Sequence, residues 1–249
     1  MGRIAIVSPM REELHTLLAR MPDETAVRRA GRDFWVGHLE GHEIVAVLSN
    51  IGKVAAATTA TLLLSEFDVD RIVFTGTAGG LGDGVKVGDV CVADTLMQHD
   101  MDASPLWPRF EVPLYGIARF AANREMSDAL ARAAEAALDT LKAPLAGFGI
   151  TQRPRVHRGL MVSGDRFIHG KAANDALRAA APDALSVEME GAALAQVCHD
   201  FGVPYGVVRT ISDRADDDAH VDFQRFVDEV ASRCSLEIVT SYLRALPRA

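Results

Sequence analysis

Short apolar runs alternate with longer amphipathic or Ala-rich segments along the chain, and this rhythm predicts alternating strands and helices. The predicted strands lie at residues 3–8, 33–38, 43–49, 71–76, 90–93, 156–162, 185–188 and 205–211. The predicted helices lie at residues 10–20, 52–66, 126–141, 171–180, 190–201 and 223–246. Such alternation is typical of an α/β fold with a mixed, largely buried sheet. We therefore expect one α/β domain over residues 1–249.

Two segments carry more local information. Ser8 and Pro9 follow the first predicted strand and have the residue types of a helix N-cap and a first helical position. Residues 98–124 contain three prolines, one Trp and no clear period. A long stretch of this kind is typical of a functional loop, so we expect one there.

Composition excludes several classes of protein. The 249 residues include 26 Lys and Arg against 34 Asp and Glu, for a net charge of −8, and 49% are hydrophobic. This apolar content argues against a disordered chain. Without a cluster of Lys and Arg, neither nucleic acid nor an anionic membrane surface is expected as a partner.

The sequence also predicts where in the cell the protein is located. No apolar stretch approaches the roughly 20 residues that cross a bilayer, and the N-terminus lacks the features of a signal peptide. The three cysteines (Cys91, Cys198 and Cys234) are far apart and odd in number, which favours reduced thiols. The expectation is a cytoplasmic protein.

Polar residues that could take part in binding or catalysis occur at the ends of two predicted strands. Glu188 and Glu190 flank the junction between a strand and a helix, and Ser212 and Asp213 end the strand that carries Arg209. Ligands of open α/β sheets collect at the carboxyl ends of strands, which favours a binding site here. Taken singly, these residues are more typical of helix-dipole compensation, caps and turns, and only together with the motifs below do they favour a site.

Glu13 is a further candidate. It falls in the first turn of the first predicted helix, four residues before Leu17 of the apolar stripe, whereas Glu12 groups with the polar face. A carboxylate that leans inward should have a raised pKa, which suits a general base. The alternative is a surface Glu favoured by the helix dipole.

Glycine-rich and aromatic motifs complete the set. Residues 75–80 (Thr-Gly-Thr-Ala-Gly-Gly) allow close approach of the backbone to a ligand but match neither a dinucleotide fingerprint nor a phosphate loop. Phe167 follows a predicted strand and is placed at the rim of a pocket, although a core position is the more frequent fate of a Phe.

Several motifs together resemble one family. They occur in the order Met10 with Glu13, Asn50-Ile51-Gly52-Lys53-Val54, Gly76-Thr77-Ala78-Gly79-Gly80, Val162-Ser163-Gly164-Asp165-x-Phe167-Ile168, Val187-Glu188-Met189-Glu190 and Arg209-x-x-Ser212-Asp213. In this pattern the chain resembles the 5′-methylthioadenosine/S-adenosylhomocysteine nucleosidases of the purine nucleoside phosphorylase/uridine phosphorylase superfamily. The resemblance covers nearly the whole chain. It implies a three-layer α/β/α sandwich with a twisted, barrel-like mixed sheet, and a homodimer.

The resemblance also implies an activity, namely hydrolysis of the N-glycosidic bond of a purine nucleoside without a metal or other cofactor. Asp213 would protonate N7 of the adenine, with Ser212 orienting it, and Glu13 would activate the water near Arg209. Glu190 and the Met189 backbone would hold the ribose, while Phe167 and the Ile168 backbone would hold adenine. The other implied substrate-binding residues are Met10, Thr77, Ala78, Gly79 and Glu188.

The chemistry of the reaction is consistent with these residues. Cleavage of the bond develops positive charge on the sugar and negative charge on the base, so carboxylates near the ribose and an acid near the purine are both useful. The spacing of His99, His157, His169 and His199 does not favour a metal site.

Three other functions stay open. A phosphorylase would need cationic groups for phosphate, whereas residues 8–13 place Glu12 and Glu13 where that anion would bind. A nucleosidase for a futalosine-type nucleoside would share the base and ribose residues. A non-catalytic nucleoside-binding protein is the third, because a fold does not fix a function.

The preferred 5′ substituent is a separate question. Residues 103–114 depart from the family pattern. Leu106, Trp107 and Pro113 would nevertheless suit a thioether tail, either that of a substrate bound by the same subunit or that of a substrate bound by the neighbouring subunit. Packing in a dimer is an equally good interpretation of Trp107.

Overall fold

The computed structural model describes residues 2–141, 145–213 and 223–247. Within these ranges, one sheet of 11 strands forms the centre of the protein. The strands are β1 (Arg3–Ser8), β2 (Thr25–Arg29), β3 (Arg32–Leu39), β4 (His42–Leu48), β5 (Val69–Phe74), β6 (Thr77–Gly80), β7 (Val90–Gln98), β8 (Arg119–Ala121), β9 (Val156–Ser163), β10 (Ala184–Glu188) and β11 (Tyr205–Asp213).

The helices pack around this sheet. They are α1 (Arg11–Leu18), α2 (Lys53–Glu66), α3 (Arg124–Ala137), α4 (Lys171–Ala180), α5 (Gly191–Phe201), α6 (Phe223–Phe226) and α7 (Ser232–Ala245). A 3₁₀ turn at Leu138–Leu141 continues α3, and a π turn at Val227–Ala231 joins α6 to α7. Of the helices in the described part of the chain, none is long and apolar enough to cross a membrane.

The sheet is mixed and partly closed on itself. Its strand order is β2-β3-β4-β1-β5-β11-β6-β10-β9-β7-β8, and β11 also pairs with β7. Strand β11 is parallel to β5 and to β6 and antiparallel to β7. Strands β11, β6, β10, β9 and β7 therefore form a closed ring, and the parallel strands β4, β1 and β5 extend from it.

Two apolar layers bury the two faces of the sheet. On one face α1, α3 and α7 contribute Leu17, Leu130 and Ile238, which pack against strand residues such as Ile6. On the other face α2 and α5 contribute residues such as Leu63 and Leu194. The α/β/α layering and the mixed central sheet that the resemblance implied are confirmed.

Most predicted strands and helices are confirmed, but three strands were not predicted. Strand β2 is mostly exposed and β8 has three residues, so neither shows a buried alternation. Strand β6 lies in the glycine-rich motif, whose residues favour strands poorly. It forms because β11 pairs with it on one side and β10 on the other.

Two other predictions were wrong in part. Ser8 does not cap α1, because it is the last residue of β1 and its hydroxyl bonds to Thr75 Oγ1 at 2.8 Å; the N-cap is Met10. The loop predicted at 98–124 is shorter, since β7 extends to Gln98 and β8 lies within the segment.

Candidate active site

A cavity of about 190 Å³ opens beside β6, where β10 and β11 end, and residues from distant parts of the chain line it. Its lining consists of Pro9, Met10, Ile51, Thr77, Ala78, Gly79, Arg166, Phe167, Ile168, Val187, Glu188, Met189, Glu190, Ser212, Asp213 and Phe223. Eleven of the fifteen predicted site residues are in this set. The four others are Glu13, Arg209, Trp107 and Pro113.

The aromatic rim of the cavity is formed by the loop after β9. Phe167 is 43% exposed although its chain neighbour Ile168 is buried. Its ring stacks on His169, with 6.1 Å between the ring centroids. A half-exposed aromatic ring beside a mostly apolar wall is suited to stacking against a planar ligand.

Asp213 and Ser212 lie at the end of β11. The register of β11 against β6 shifts between Ile211 and Asp213, so Ser212 has no paired position there. A bulge of this kind redirects side chains, and both residues line the cavity. Ser212 Oγ donates a hydrogen bond to Asp213 Oδ2 at 2.8 Å, which fixes the orientation of a carboxyl that is 7% exposed.

Glu190 also lines the cavity and lies immediately before α5. Its Oε1 accepts a hydrogen bond of 2.9 Å from the backbone N–H of Gly52 at the start of α2. Gly52 has φ of 96°, which glycine adopts without strain. Burial, together with the charge of Glu188, raises the pKa of Glu190 to about 7. The carboxylate can therefore both accept and release a proton near neutral pH.

Glu188 lines the cavity too, but its oxygens are held by the protein. Its carboxylate accepts hydrogen bonds from the N–H groups of Gly191 at 2.8 and 2.9 Å and of Glu190 at 3.1 Å. Ser163 Oγ and Arg209 Nη2, the latter at 2.7 Å, also donate to it. With so many donors in place, Glu188 fixes the start of α5 and the position of Glu190.

Arg209 is fully buried on β11 behind the cavity wall and does not line the cavity. Its Nη1 donates to the carbonyl oxygens of Thr75 at 2.5 Å and Phe74 at 3.2 Å. The guanidinium also lies 4.1 Å from the centre of the Phe74 ring. Its positive charge is thus shared between Glu188 and neighbouring carbonyls, and it also acts on Glu13.

Glu13 lies in the first turn of α1 and is buried, as its spacing from Leu17 predicts. Ser235 Oγ donates a 2.7 Å hydrogen bond to Glu13 Oε1. No residue in the described ranges donates to Oε2. Burial raises the pKa of Glu13 to about 7, against the lowering effects of the Ser235 hydroxyl and the Arg209 charge. The raised pKa is therefore confirmed, whereas Glu13 is not among the residues that line the cavity.

Trp107 and Pro113 also lie outside this cavity. They lie in the segment between β7 and β8, where Leu106 and Leu114 are 79% and 90% exposed. Within one chain these residues do not shape the site. A role for Trp107 and Pro113 in binding stays a prediction that requires a second subunit.

The structure also brings residues to the site that the sequence analysis did not select. Val187 and Ser163 lie inside motifs that were noted, so their positions could have been inferred. Phe223 and Ser235, by contrast, belong to the C-terminal helical segment, which has no motif. Within the described ranges, no three His, Cys, Asp or Glu side chains are grouped as a metal site would require.

Comparison with known proteins gives a consistent result. A family model described as the phosphorylase superfamily matches residues 3–244. The chain is similar to the 5′-methylthioadenosine/S-adenosylhomocysteine nucleosidase of Neisseria meningitidis, solved with methylthio-immucillin-A, with 33% identity, a TM-score of 0.85 and coverage of 99% of this chain and 100% of that chain.

Two further structures are informative. The Streptococcus pneumoniae 5′-methylthioadenosine/S-adenosylhomocysteine nucleosidase was solved with 8-aminoadenine. It is 30% identical to this chain with a TM-score of 0.85, and the match covers 98% of this chain and 100% of that chain. A futalosine hydrolase mutant of Helicobacter pylori has 30% identity and a TM-score of 0.83, with 99% and 100% covered. The resemblance inferred from the sequence motifs is therefore confirmed.

Proposed function

The chain belongs to the phosphorylase superfamily, and we propose that it is a nucleosidase that hydrolyses the N-glycosidic bond of 5′-methylthioadenosine, S-adenosylhomocysteine or both. The products are adenine and a 5-thio-substituted ribose. The observation that carries the proposal is one cavity that both Asp213 and Glu190 line. Glu13 is coupled to this cavity through Arg209, which bonds to Glu188. Neither a metal nor another cofactor has a role in the proposal.

The purine leaves from the Asp213 side. Phe167 stacks on the adenine ring and the Ile168 backbone contacts its edge, next to Thr77, Ala78 and Gly79. Asp213, oriented by Ser212, protonates N7 as the glycosidic bond breaks. Protonation neutralises the charge that would otherwise build up on the departing base.

The ribose lies against the Glu190 side. Glu190, held by Gly52 N–H, and the Met189 backbone bind the ribose hydroxyls. The sugar becomes positively charged as the base departs, so a nearby carboxylate stabilises the transition state. Glu188 contributes by fixing Glu190, since its own oxygens already accept hydrogen bonds from the protein.

Glu13 takes a proton from the attacking water. The oxygen of that water forms a bond to C1′ while the bond from C1′ to the purine nitrogen breaks. A pKa of about 7 keeps a useful fraction of Glu13 ionised at neutral pH while leaving it basic enough to accept a proton.

The charges near the cavity favour water over phosphate as the nucleophile. Among the described lining residues, Arg166 is the one Lys or Arg, and it is exposed at the rim. Arg209 is bonded to Glu188 and to carbonyl oxygens. A phosphate dianion would also lie near Glu13, whose charge would repel it.

We further propose a homodimer in the cytoplasm that serves methionine salvage. Ile51 and Val54, at the start of α2, and Leu106 and Leu114 are 61%, 77%, 79% and 90% exposed. Ile51 and Val54 are three residues apart at the start of α2, and adjacent exposed apolar side chains are typical of an interface. A second subunit would cover them and bring its own Trp107 and Pro113 to the 5′ substituent and to Met10. Val54→Asp should then yield a monomer in analytical ultracentrifugation.

The decisive experiment uses the purified protein in phosphate-free buffer with 5′-methylthioadenosine. Release of adenine under these conditions supports hydrolysis. Release that depends on added phosphate would establish phosphorolysis instead. Tight binding without release would identify a nucleoside-binding protein.

A futalosine-type nucleoside is the second candidate substrate, because the chain is as similar to the Helicobacter pylori futalosine hydrolase as to several adenosyl nucleosidases. The two substrates share a purine and a ribose and differ at the 5′ position. Initial rates with 5′-methylthioadenosine, S-adenosylhomocysteine, inosine and a futalosine analogue separate the candidates.

A further inference from the structure

The C-terminal helical segment supplies the one described hydrogen-bond donor to the Glu13 side chain, which lies 222 residues away in sequence. We propose that Ser235 is a positioning residue of the hydrolysis. Its hydroxyl fixes Glu13 Oε1, so that Oε2 is the oxygen that accepts the proton of the attacking water. This inference rests on the proposed function, in which Glu13 is the general base.

The two carboxylate oxygens of Glu13 have different surroundings. Oε1 accepts the Ser235 hydrogen bond at 2.7 Å, whereas Oε2 is buried and has no donor among the described residues. A buried carboxylate oxygen without a donor is costly, so a bound water is the natural partner for Oε2. In the reaction, that water gives one proton to Oε2, and its oxygen bonds to C1′.

The π turn between α6 and α7 explains how one helical segment places two residues, Phe223 and Ser235, at the site. Phe223 lines the cavity and Ser235 contacts Glu13, twelve residues further along. In a regular α-helix, twelve residues rotate the chain to a face about 120° away. The π turn at Val227–Ala231 accommodates roughly one additional residue, which reduces this angle to about 20°. Phe223 and Ser235 therefore lie on nearly the same face.

The charged and titratable groups around Glu13 come from three elements. Arg209 on β11 favours its ionised form, and Glu12 on α1 disfavours it. Cys234 on α7 is neutral near pH 7, because burial raises the pKa of its thiol to about 12. The Ser235 hydroxyl lowers the pKa of Glu13. Loss of this hydroxyl should raise that pKa further and move the acidic limb of the pH–rate profile to higher pH.

Ser232 provides a matched control on the same helix. Ser232 is buried, like Ser235, but its hydroxyl bonds to the Asp228 carbonyl at 2.8 Å and not to the site. We expect Ser235→Ala to lower kcat about 10- to 100-fold, with KM within about 2-fold, because the base is no longer held in place. Ser232→Ala should retain the wild-type kcat and pH profile. Ser235→Thr, which keeps the hydroxyl, should restore most of the activity.

The measurements are adenine release from 5′-methylthioadenosine across pH 5–9 and thermal unfolding of each variant. A wild-type kcat and pH profile in Ser235→Ala would overturn the inference, and so would equal losses of kcat in the two Ala variants. If Ser235→Ala does not fold, Ser235→Cys, a weaker donor, must have a lower kcat than Ser235→Thr. An active wild-type protein with an unaffected Ser235→Ala refutes only this inference, whereas failure of the wild-type protein to release adenine refutes the proposed function as well.

Discussion

Arg209 Nη2 lies 2.7 Å from Glu188 Oε2, and the side chains are 0% and 2% exposed. The pair joins β11 to the end of β10 directly behind the cavity. Loss of one partner of a buried ion pair leaves the other charge without compensation, which is much more costly than loss of an exposed pair. The pair therefore stabilises the structure of the site and does not take part in the reaction directly.

Glu188→Gln should accordingly lower the free energy of unfolding by about 3–5 kcal/mol. Glu43→Gln is the control, because Glu43 pairs with Arg3 at 3.3 Å where its side chain is 60% exposed. This exposed pair should contribute at most about 1 kcal/mol. Urea unfolding of both variants measures the difference. If both variants lose the same free energy of unfolding, the buried pair does not stabilise the fold more than the exposed pair does.

Asp213→Asn should lower kcat about 10²- to 10⁴-fold, because an amide cannot protonate the departing purine. The control is Asp183→Asn, which alters an exposed carboxylate that pairs with Arg119. A riboside with an acidic leaving group such as 4-nitrophenol needs little protonation, so its hydrolysis should be much less affected. An equal loss with both substrates would contradict the role of Asp213 as the acid.

Glu13→Gln should abolish turnover while leaving substrate binding intact, because the amide cannot accept a proton from water. Glu12→Gln is a matched control from the adjacent, partly exposed position. In the wild-type protein, kcat should decline as the pH falls through about 7, where Glu13 becomes protonated. Calorimetric titration of the substrate and stopped assays measure binding and turnover separately. Weakened binding with normal turnover would identify Glu13 as a contact residue.

The same side chain should make stability depend on pH. The pKa of Glu13 is about 7 in the folded protein and 4.5 without the influence of the fold. Between these values the folded protein binds a proton that the unfolded chain has released, so stability falls as the pH rises through this window.

Glu13→Gln removes this cost and should raise the free energy of unfolding at pH 8 by up to about 3 kcal/mol relative to the wild-type protein. The gain should disappear near pH 4.5. Urea unfolding at several pH values tests this, with Glu12→Gln expected to differ from the wild-type protein by less than about 0.5 kcal/mol. A gain that does not vary with pH would exclude titration of Glu13 as its cause.

The sequence predicted the parts of the site that depend on local spacing. Glu13 faces inward because it is four residues from Leu17, and that can be inferred from helical periodicity alone. Ser212 and Asp213, which end β11, and Glu190, which follows β10, line the same cavity because these two strands run antiparallel on either side of β6 and both end beside it. The rule that ligands bind at the carboxyl ends of strands indicated both strand ends correctly, although β10 and β11 do not share one edge of a parallel sheet.

The parts that the sequence could not predict depend on long-range packing. The Ser235 contact to Glu13 requires the crossing of α1 with α7 and the π turn that precedes α7, and no local pattern encodes either. Strand β6 exists because two neighbours pair with it, which overrides the low strand preference of its glycines. For Trp107, apolar character alone did not indicate which surface the side chain would contact.

The place of β11 in the sheet has a consequence for synthesis of the chain. This strand lies between β5 and β6 and also pairs with β7, yet it includes residues 205–213 and is the last of the described strands to leave the ribosome. Until it emerges, β5, β6 and β7 each have an edge whose hydrogen-bonding groups are unsatisfied, and such edges promote aggregation. Nascent chains that stall before residue 205 should therefore depend on chaperones, and the sheet should be completed only after residues 205–213 have emerged.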